Sequence, residues 1–305
     1  MTRPATQTAL LALLIVSLSV GVYAGDADLV TSVRALAAQG QYSKASGSVR
    51  VYEAHHGESP ESILALSWLA RTALAQKKYD LADQYAQETK ALKKSPLDRE
   101  PDLPLVLGAS LEVQGQVLAA RGQRTEAISM LEMELRKYPG TPLAVRIRKN
   151  INLLSLEGKS APALEGVALP GEKPALLFFW AHWCGDCRAE APILAQIRKE
   201  FGPRGLSVIG ATRKYGYIGP QTNVPPRVEI SCIEQIRREY YAAVLDAPAA
   251  ISEADFLTYG VSTTPTIVLL DRGGIVRLYH PGGMKYEELK TAIEGMISKP
   301  SQVQR

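Results

Sequence analysis

Three cysteines in 305 residues are too few to staple a fold, so the chain is no disulfide scaffold. Charge of one sign is also scarce. The formal balance is +4, and basic pairs such as Lys77-Lys78 and Lys93-Lys94 are scattered like solvated helix faces. Nothing therefore calls for nucleic acid. The four histidines (His55, His56, His182 and His280) show no paired ligand spacing, and a structural zinc needs four ligands. The one long apolar run, Ala9 to Val22, falls short of the ~20 residues that span a bilayer. What remains is 46% hydrophobic and 22% charged, the composition of a globular protein long enough for two domains.

The first residues follow the logic of export. Arg3 supplies a positive start, Ala9 to Val22 an apolar core, and Val22-Tyr23-Ala24 small residues three and one positions before a cut. Residues 1–24 are expected to be a signal peptide, with Gly25 the first mature residue and the mature chain outside the cytoplasm. Left uncleaved, the segment would act as a membrane anchor. No cysteine follows it to carry a lipid.

Residues 25–157 lack alternating β-patterns and are rich in Ala, Leu, Gln, Lys and Glu, which predicts an all-α domain. Three stretches echo one another between helical patterns: Gly40-Gln41-Tyr42 to Ala45, Lys77-Lys78-Tyr79 to Ala82, and Gly122-Gln123-Arg124 to Ala127. The polar stretch from Ser95 to Pro104 accounts for the longer second interval. A helix, a turn and a second helix with a small alanine resemble the tetratricopeptide repeat, whose period is 34 residues. Gly115 and Pro139 fit that pattern in the third copy, whereas Trp68 is offset in the first two. Stacked pairs of this kind imply a concave surface that binds another chain. Packing against the C-terminal half is the alternative.

Beyond the loop-like Gly158 to Pro174 the character changes. Ala175 to Trp180 is an apolar run expected to form a buried central strand. Cys184 and Cys187 follow at once, and Ile193, Leu194, Ile197 and Phe201 then mark one face of a helix that Gly202-Pro203 ends. The pair could be a redox dithiol, half of a Cu(I) or zinc site, or two neighbouring thiols. Its position favours the first. A helix N-terminus offers free N–H groups and partial positive charge, which stabilise a thiolate. Cys184 stands at the tip as nucleophile and Cys187 one turn on as resolver. Leu206 to Ala211 is a second expected strand. Thr266–Leu270 and Ile275–Tyr279 flank the turn Asp271 to Gly274, and Glu287 to Ile297 forms a closing helix.

WCxxC after a strand, with Tyr259-Gly260-Val261 ahead of Pro265, resembles the thioredoxin fold. GKSAP at Gly158, WCxxCxxExP and the signal segment are similar to exported TlpA/ResA-type thiol–disulfide oxidoreductases. The likeness covers Gly158 to Ile297, so residues 158–305 are expected to be a thioredoxin-like domain with an insertion near 213–256. It implies that Pro265 is a cis-proline, that the Thr264 backbone receives a substrate strand, and that Trp183 lids the sulfurs. Glu190 would tune a thiol or relay a proton, or else be a solvated helix carboxylate. The implied activity is reduction of partner-protein disulfides through Cys184 and Cys187, without a further cofactor, regenerated by a membrane electron donor. A copper-handling protein, or one whose main element is a partner-docking helical region, is the alternative.

The chain departs from that family in several places. Gly185-Asp186 replaces a residue and a proline, and Asp186 competes with the thiolate for the helix dipole. Phe178 stands where thioredoxins carry a buried acid. Ala181 replaces the Thr or Ser of peroxiredoxins, which speaks against a peroxidase. Arg213 to Arg227 is expected to be a flexible loop. Ser231 to Glu234 follows as a capping box that opens a helix bearing Ile233, Ile236, Tyr240 and Val244, with Cys232 at its start. Cys232 is expected to be a packed or unpaired thiol, a third redox cysteine being the alternative. His182 is expected to face solvent.

Overall fold

The computed structural model describes residues 26–91, 103–169, 171–245 and 249–298. The expected signal segment and residues 95–102 lie outside them. Among the described residues seven helices come first: α1 (Asp26–Ala38), α2 (Tyr42–His56), α3 (Pro60–Ala75), α4 (Tyr79–Ala91), α5 (Leu103–Ala120), α6 (Arg124–Leu135) and α7 (Pro142–Ser155). The three echoed stretches are the turns within the pairs α1–α2, α3–α4 and α5–α6. All three turns close alike. The amide of Gly40, Lys77 and Gly122 bonds back three residues, and that of Gln41, Lys78 and Gln123 bonds back five. This is the Schellman arrangement, which needs a left-handed residue at the pivot. The pivots have φ of +75°, +57° and +82°. Lysine at the second therefore sits where glycine is the easier residue, at a cost of about 1 kcal/mol. Ala45, Ala82 and Ala127 are fully buried at the helix crossings.

The C-terminal half is built on a five-stranded sheet of order β5-β2-β1-β6-β7. Its strands are β1 (Ala175–Phe179), β2 (Ser207–Thr212), β5 (Ala250–Ile251), β6 (Thr266–Leu270) and β7 (Val276–Pro281). β1 runs parallel to β2 and antiparallel to β6, and β6 and β7 form the expected hairpin. Every residue of β1 is buried because both faces are covered. Leu176, Phe178 and Trp180 join a core with α8 (Gly185–Phe201) and α11 (Tyr286–Ser298). Ala175, Leu177 and Phe179 join a second core with Phe256 and Tyr259 of α10 (Glu253–Tyr259). The strand's two-residue period divides its side chains between these layers. Phe178, in place of a buried acid, is fully buried and packs 5.6 Å from Tyr241, centroid to centroid.

The halves touch through α7 and α10. Asn152 Nδ2 donates to the Thr258 carbonyl at 3.2 Å. Gly260 ends α10 with φ +64°, and a Cβ built there would lie 2.3 Å from the Lys149 backbone nitrogen. No helix among the described residues is long and apolar enough to cross a membrane.

The insertion departs from its expected form. The loop carries a two-stranded ribbon, β3 (Tyr217–Ile218) against β4 (Gln221–Thr222). Helix α9 spans Pro226–Tyr240 and so starts five residues before the expected capping box. Pro226 takes its first position, where no N–H is needed. Ser231 Oγ donates to the Arg227 carbonyl within the helix, and Glu234 binds Arg237 and Arg238 ahead of it. Cys232 thus lies mid-helix as a half-buried free thiol, its pKa raised by burial and then by Glu229. Ile233 is buried as expected, Tyr240 is exposed, and Val244 is buried beyond the helix end.

Candidate functional site

Strand β1 delivers the chain to the end of the sheet, and α8 begins six residues after its last member. Cys184 is the N-cap of α8. Its Sγ accepts the Cys187 amide proton at 3.0 Å, taking the place that a Ser or Asp oxygen fills at other helix starts. The two sulfurs are bonded at 2.12 Å, with Cα atoms 5.3 Å apart. Cys187 is fully buried and Cys184 is 3% exposed, so the difference between tip and first turn is smaller than the sequence implies.

Pro265 faces this dithiol. The Thr264–Pro265 bond is cis, and the Thr264 carbonyl oxygen lies 3.5 Å from Cys184 Sγ. The loop leading to it is tied down, since Tyr279 Oη donates to the Tyr259 carbonyl at 2.7 Å and Tyr259 Oη donates to the Pro162 carbonyl at 2.6 Å.

Glu190 is buried, which removes the solvated reading. It lies three residues beyond Cys187 on α8, hence on the same face. Its Oε1 accepts the Met284 amide proton at 3.1 Å. Gly283 makes room for it: a Cβ there would meet Oε2 at 2.5 Å and Pro265 Cγ at 3.8 Å. Burial pushes the Glu190 carboxyl above the usual carboxylate range, and the Met284 N–H offsets part of that. A buried carboxyl with a raised pKa thus stands beneath the Pro265 loop.

His182 is buried, not solvent-facing. Its Nε2 lies 2.9 Å from the Tyr217 carbonyl oxygen, which can only accept, so Nε2 carries a proton. Nδ1 faces Glu229 Oε1 at 3.9 Å. The reason is the insertion, which closes over the loop that the sequence leaves open. Glu229 was not among the expected site residues. It is buried, and its carboxylate accepts the amide protons of Tyr215 and Gly216. One signal pointed to it: an acid four residues before Ile233 falls on the apolar stripe of α9. Trp183, 45% exposed, packs edge-on against Tyr215 at 5.3 Å and stacks on Tyr217 at 6.3 Å. Burial holds the Tyr215 phenol up to about 12, so it stays neutral. Arg188 of α8 donates to the His182 carbonyl at 2.8 Å and sits over the Tyr240 ring. Among the described residues no group of three or more His, Cys, Asp or Glu gathers as a metal set.

Residues 154–223, which hold β1, the dithiol and β2, match the model of the AhpC/TSA family. The C-terminal half is a thioredoxin-like domain. It is 26% identical over 152 residues to the thioredoxin-like protein YneN of Bacillus subtilis, spanning 45% of this chain and 79% of that one. It is 28% identical over 159 residues to the thiol:disulfide interchange protein DsbE of Escherichia coli K12, spanning 48% of this chain and 77% of that one. A solved structure, a putative thiol:disulfide interchange protein DsbE from Chlorobium tepidum, is 24% identical and covers 47% of this chain and 98% of its own, with a TM-score of 0.37. The thioredoxin-like domain carries the bonded cysteine pair of a thiol–disulfide oxidoreductase, Cys184 and Cys187. The seven-helix region precedes it.

Proposed function

We propose that the protein is exported and reduces disulfides in partner proteins, with Cys184 as the attacking sulfur and Cys187 as the resolving one. The observation that carries this reading is the Cys184 sulfur at the N-cap of α8, holding the Cys187 amide proton with the second sulfur in bonding reach. An amide and a helix dipole aimed at that sulfur stabilise its thiolate over its thiol.

In the reduced protein the Cys184 thiolate attacks one sulfur of a partner disulfide. A Cys184–partner disulfide forms, and the other partner sulfur leaves as thiolate. Cys187, deprotonated, then attacks Cys184 Sγ, the mixed disulfide breaks, and the second partner thiolate leaves. Two electrons have passed to the partner, and the protein holds the Cys184–Cys187 bond. Glu190 is suited to take the Cys187 proton, being a buried acid on the same helix face. Thr264 offers its main chain to the partner segment and Trp183 an apolar surface. The cycle needs no cofactor beyond the dithiol, and a membrane donor of thiol electrons would restore it. Export rests on Arg3 and the Ala9–Val22 run, and binding of a partner chain on the helical region rests on its stacked pairs.

The test is trapping. Cys187→Ser should accumulate a covalent partner adduct that dithiothreitol releases, while Cys184→Ser should neither trap partners nor reduce insulin. Full insulin reduction by Cys184→Ser would refute the assignment.

A further inference from the structure

Between the two halves lies a cleft of about 670 Å3. One wall is the dithiol side of the thioredoxin-like domain, contributed by Trp183, Thr264 and Leu257. The other is the helical region, contributed by Arg71 of α3, Leu105 of α5 and Arg146 of α7. Cys184 is not itself on the wall, but the two residues that flank it are. Anything reaching Cys184 past Trp183 and Thr264 therefore meets the helices.

The cleft has two chemical characters. Leu105, Trp183 and Leu257 are 59%, 45% and 39% exposed, so three of the largest exposed apolar side chains line one depression. Such clustering marks a recognition surface. Around them stand four cations, Arg71, Arg146, Lys149 and Arg213, against two carboxylates, Glu112 and Glu253. Those two are already engaged. Lys149 Nζ and an Arg146 nitrogen share the single oxygen Oε2 of Glu112 at 3.0 and 3.2 Å, and Arg213 pairs with Glu253.

Arg71 is left over. Its guanidinium lies 3.9 Å above the Trp68 ring, and Arg34 covers the same ring at 4.0 Å. Among the described residues no carboxylate pairs with it. Burial first, then repulsion from Arg146 and Arg34, pull its pKa down, with Glu112 offsetting part. Its Nε donates to the Ser67 carbonyl at 3.3 Å, so the terminal Nη edge is what remains to meet a carboxylate. The positive charge is crowded beside an apolar surface, and the contact between α7 and Gly260 holds the two walls together.

We infer that this cleft is the partner site and is shared between the halves: it takes a disulfide-bearing segment that carries acidic side chains near its half-cystine, the acid seated on the helical wall around Arg71. The inference rests on the dithiol reading of Cys184 and names the kind of partner that dithiol meets. Under it the helices act as a selectivity wall and not as a separate docking module.

The experiment uses the full chain, reduced, and three probes. Two are synthetic peptides closed by one disulfide and identical except for Glu or Lys beside the half-cystines; the third is hydroxyethyl disulfide, which is small and uncharged. The Glu peptide should be reduced with a kcat/KM roughly three- to tenfold above the Lys peptide at about 20 mM salt, the range two partly screened ion pairs provide. The preference should fall toward unity at about 500 mM salt. Arg71→Gln, which keeps a planar group over Trp68, should lower the ratio at least about twofold. The ratio within one preparation corrects for any misfolded fraction, and the salt series needs no variant. Equal rates for both peptides, a preference for Lys, or a ratio indifferent to salt overturns the inference while leaving the dithiol reading intact, provided hydroxyethyl disulfide is reduced. Failure to reduce hydroxyethyl disulfide overturns the dithiol reading and the inference with it.

Discussion

Replacing Gly260 by alanine tests the contact that fixes one half of the molecule on the other. A Cβ at this position would lie 2.3 Å from the Lys149 nitrogen, 2.7 Å from the Arg148 carbonyl carbon and 2.7 Å from the Lys149 Cα. These are main-chain atoms of α7 and cannot rotate aside. Two costs follow. Alanine in the left-handed conformation at φ +64° costs about 1 kcal/mol, and forcing the packed backbones apart adds about 1–3 kcal/mol. Gly274 separates these costs. It has φ +72°, and nothing lies within 4 Å of its built Cβ, so Gly274→Ala carries only the first. Urea unfolding followed by fluorescence should show a loss of about 2–4 kcal/mol for Gly260→Ala and about 1 kcal/mol for Gly274→Ala. Limited proteolysis should cut the Gly260 variant faster between residues 155 and 165, where the halves join. Equal losses for the two variants would refute the close approach as the source of the rigidity.

Two further outcomes follow from buried carboxylates. Burial raises the Glu190 pKa, so its stabilising share is full below the ordinary carboxylate value and is lost as pH rises through the raised one. Wild-type urea midpoints should therefore decline more, as pH rises from the ordinary carboxylate value, than those of Glu190→Gln, whose reduction rate should also lose pH dependence there; parallel profiles would refute the acid's role. Glu229→Gln removes the charge that the Tyr215 and Gly216 amides meet, at about 1–3 kcal/mol, and should change tryptophan emission as the two tyrosines shift against Trp183. Unchanged emission and midpoint would show that the carboxylate does not hold the loop.

The sheet and the dithiol were legible because their signals are local. Six apolar residues in a row announce a strand covered on both faces, and two cysteines one turn apart at its exit announce where α8 begins. The Pro265 loop was legible through the motif Tyr259-Gly260-Val261. The insertion was misread because two local signals competed: Ser231 and Glu234 have the spacing of a capping box, yet Pro226 takes the first helical position and wins. His182 looked solvent-facing because its cover comes from residues 215–229, more than thirty positions away in the chain. The paired helices showed in their turns, with Lys77 weakening the echo where the other two pivots are glycine. The shared cleft left no trace in the pattern, since Arg71, Arg146, Trp183 and Thr264 belong to distant segments and meet only after both halves have packed.

The ribbon beside Trp183 is anchored at its base, by two amides into Glu229, one carbonyl onto His182, and the Tyr215 and Tyr217 rings against Trp183. Peptide groups are common to every amino acid. None of these contacts uses a side chain of residues 218–224, so apart from Gly219 and Asn223, held at φ +55° and +54°, they are free to drift in identity while the ribbon keeps its seat, much as an interchangeable tip fits one socket. Descendants of this chain could explore new clientele by rewriting that tip, with the sulfur chemistry beneath left as it was.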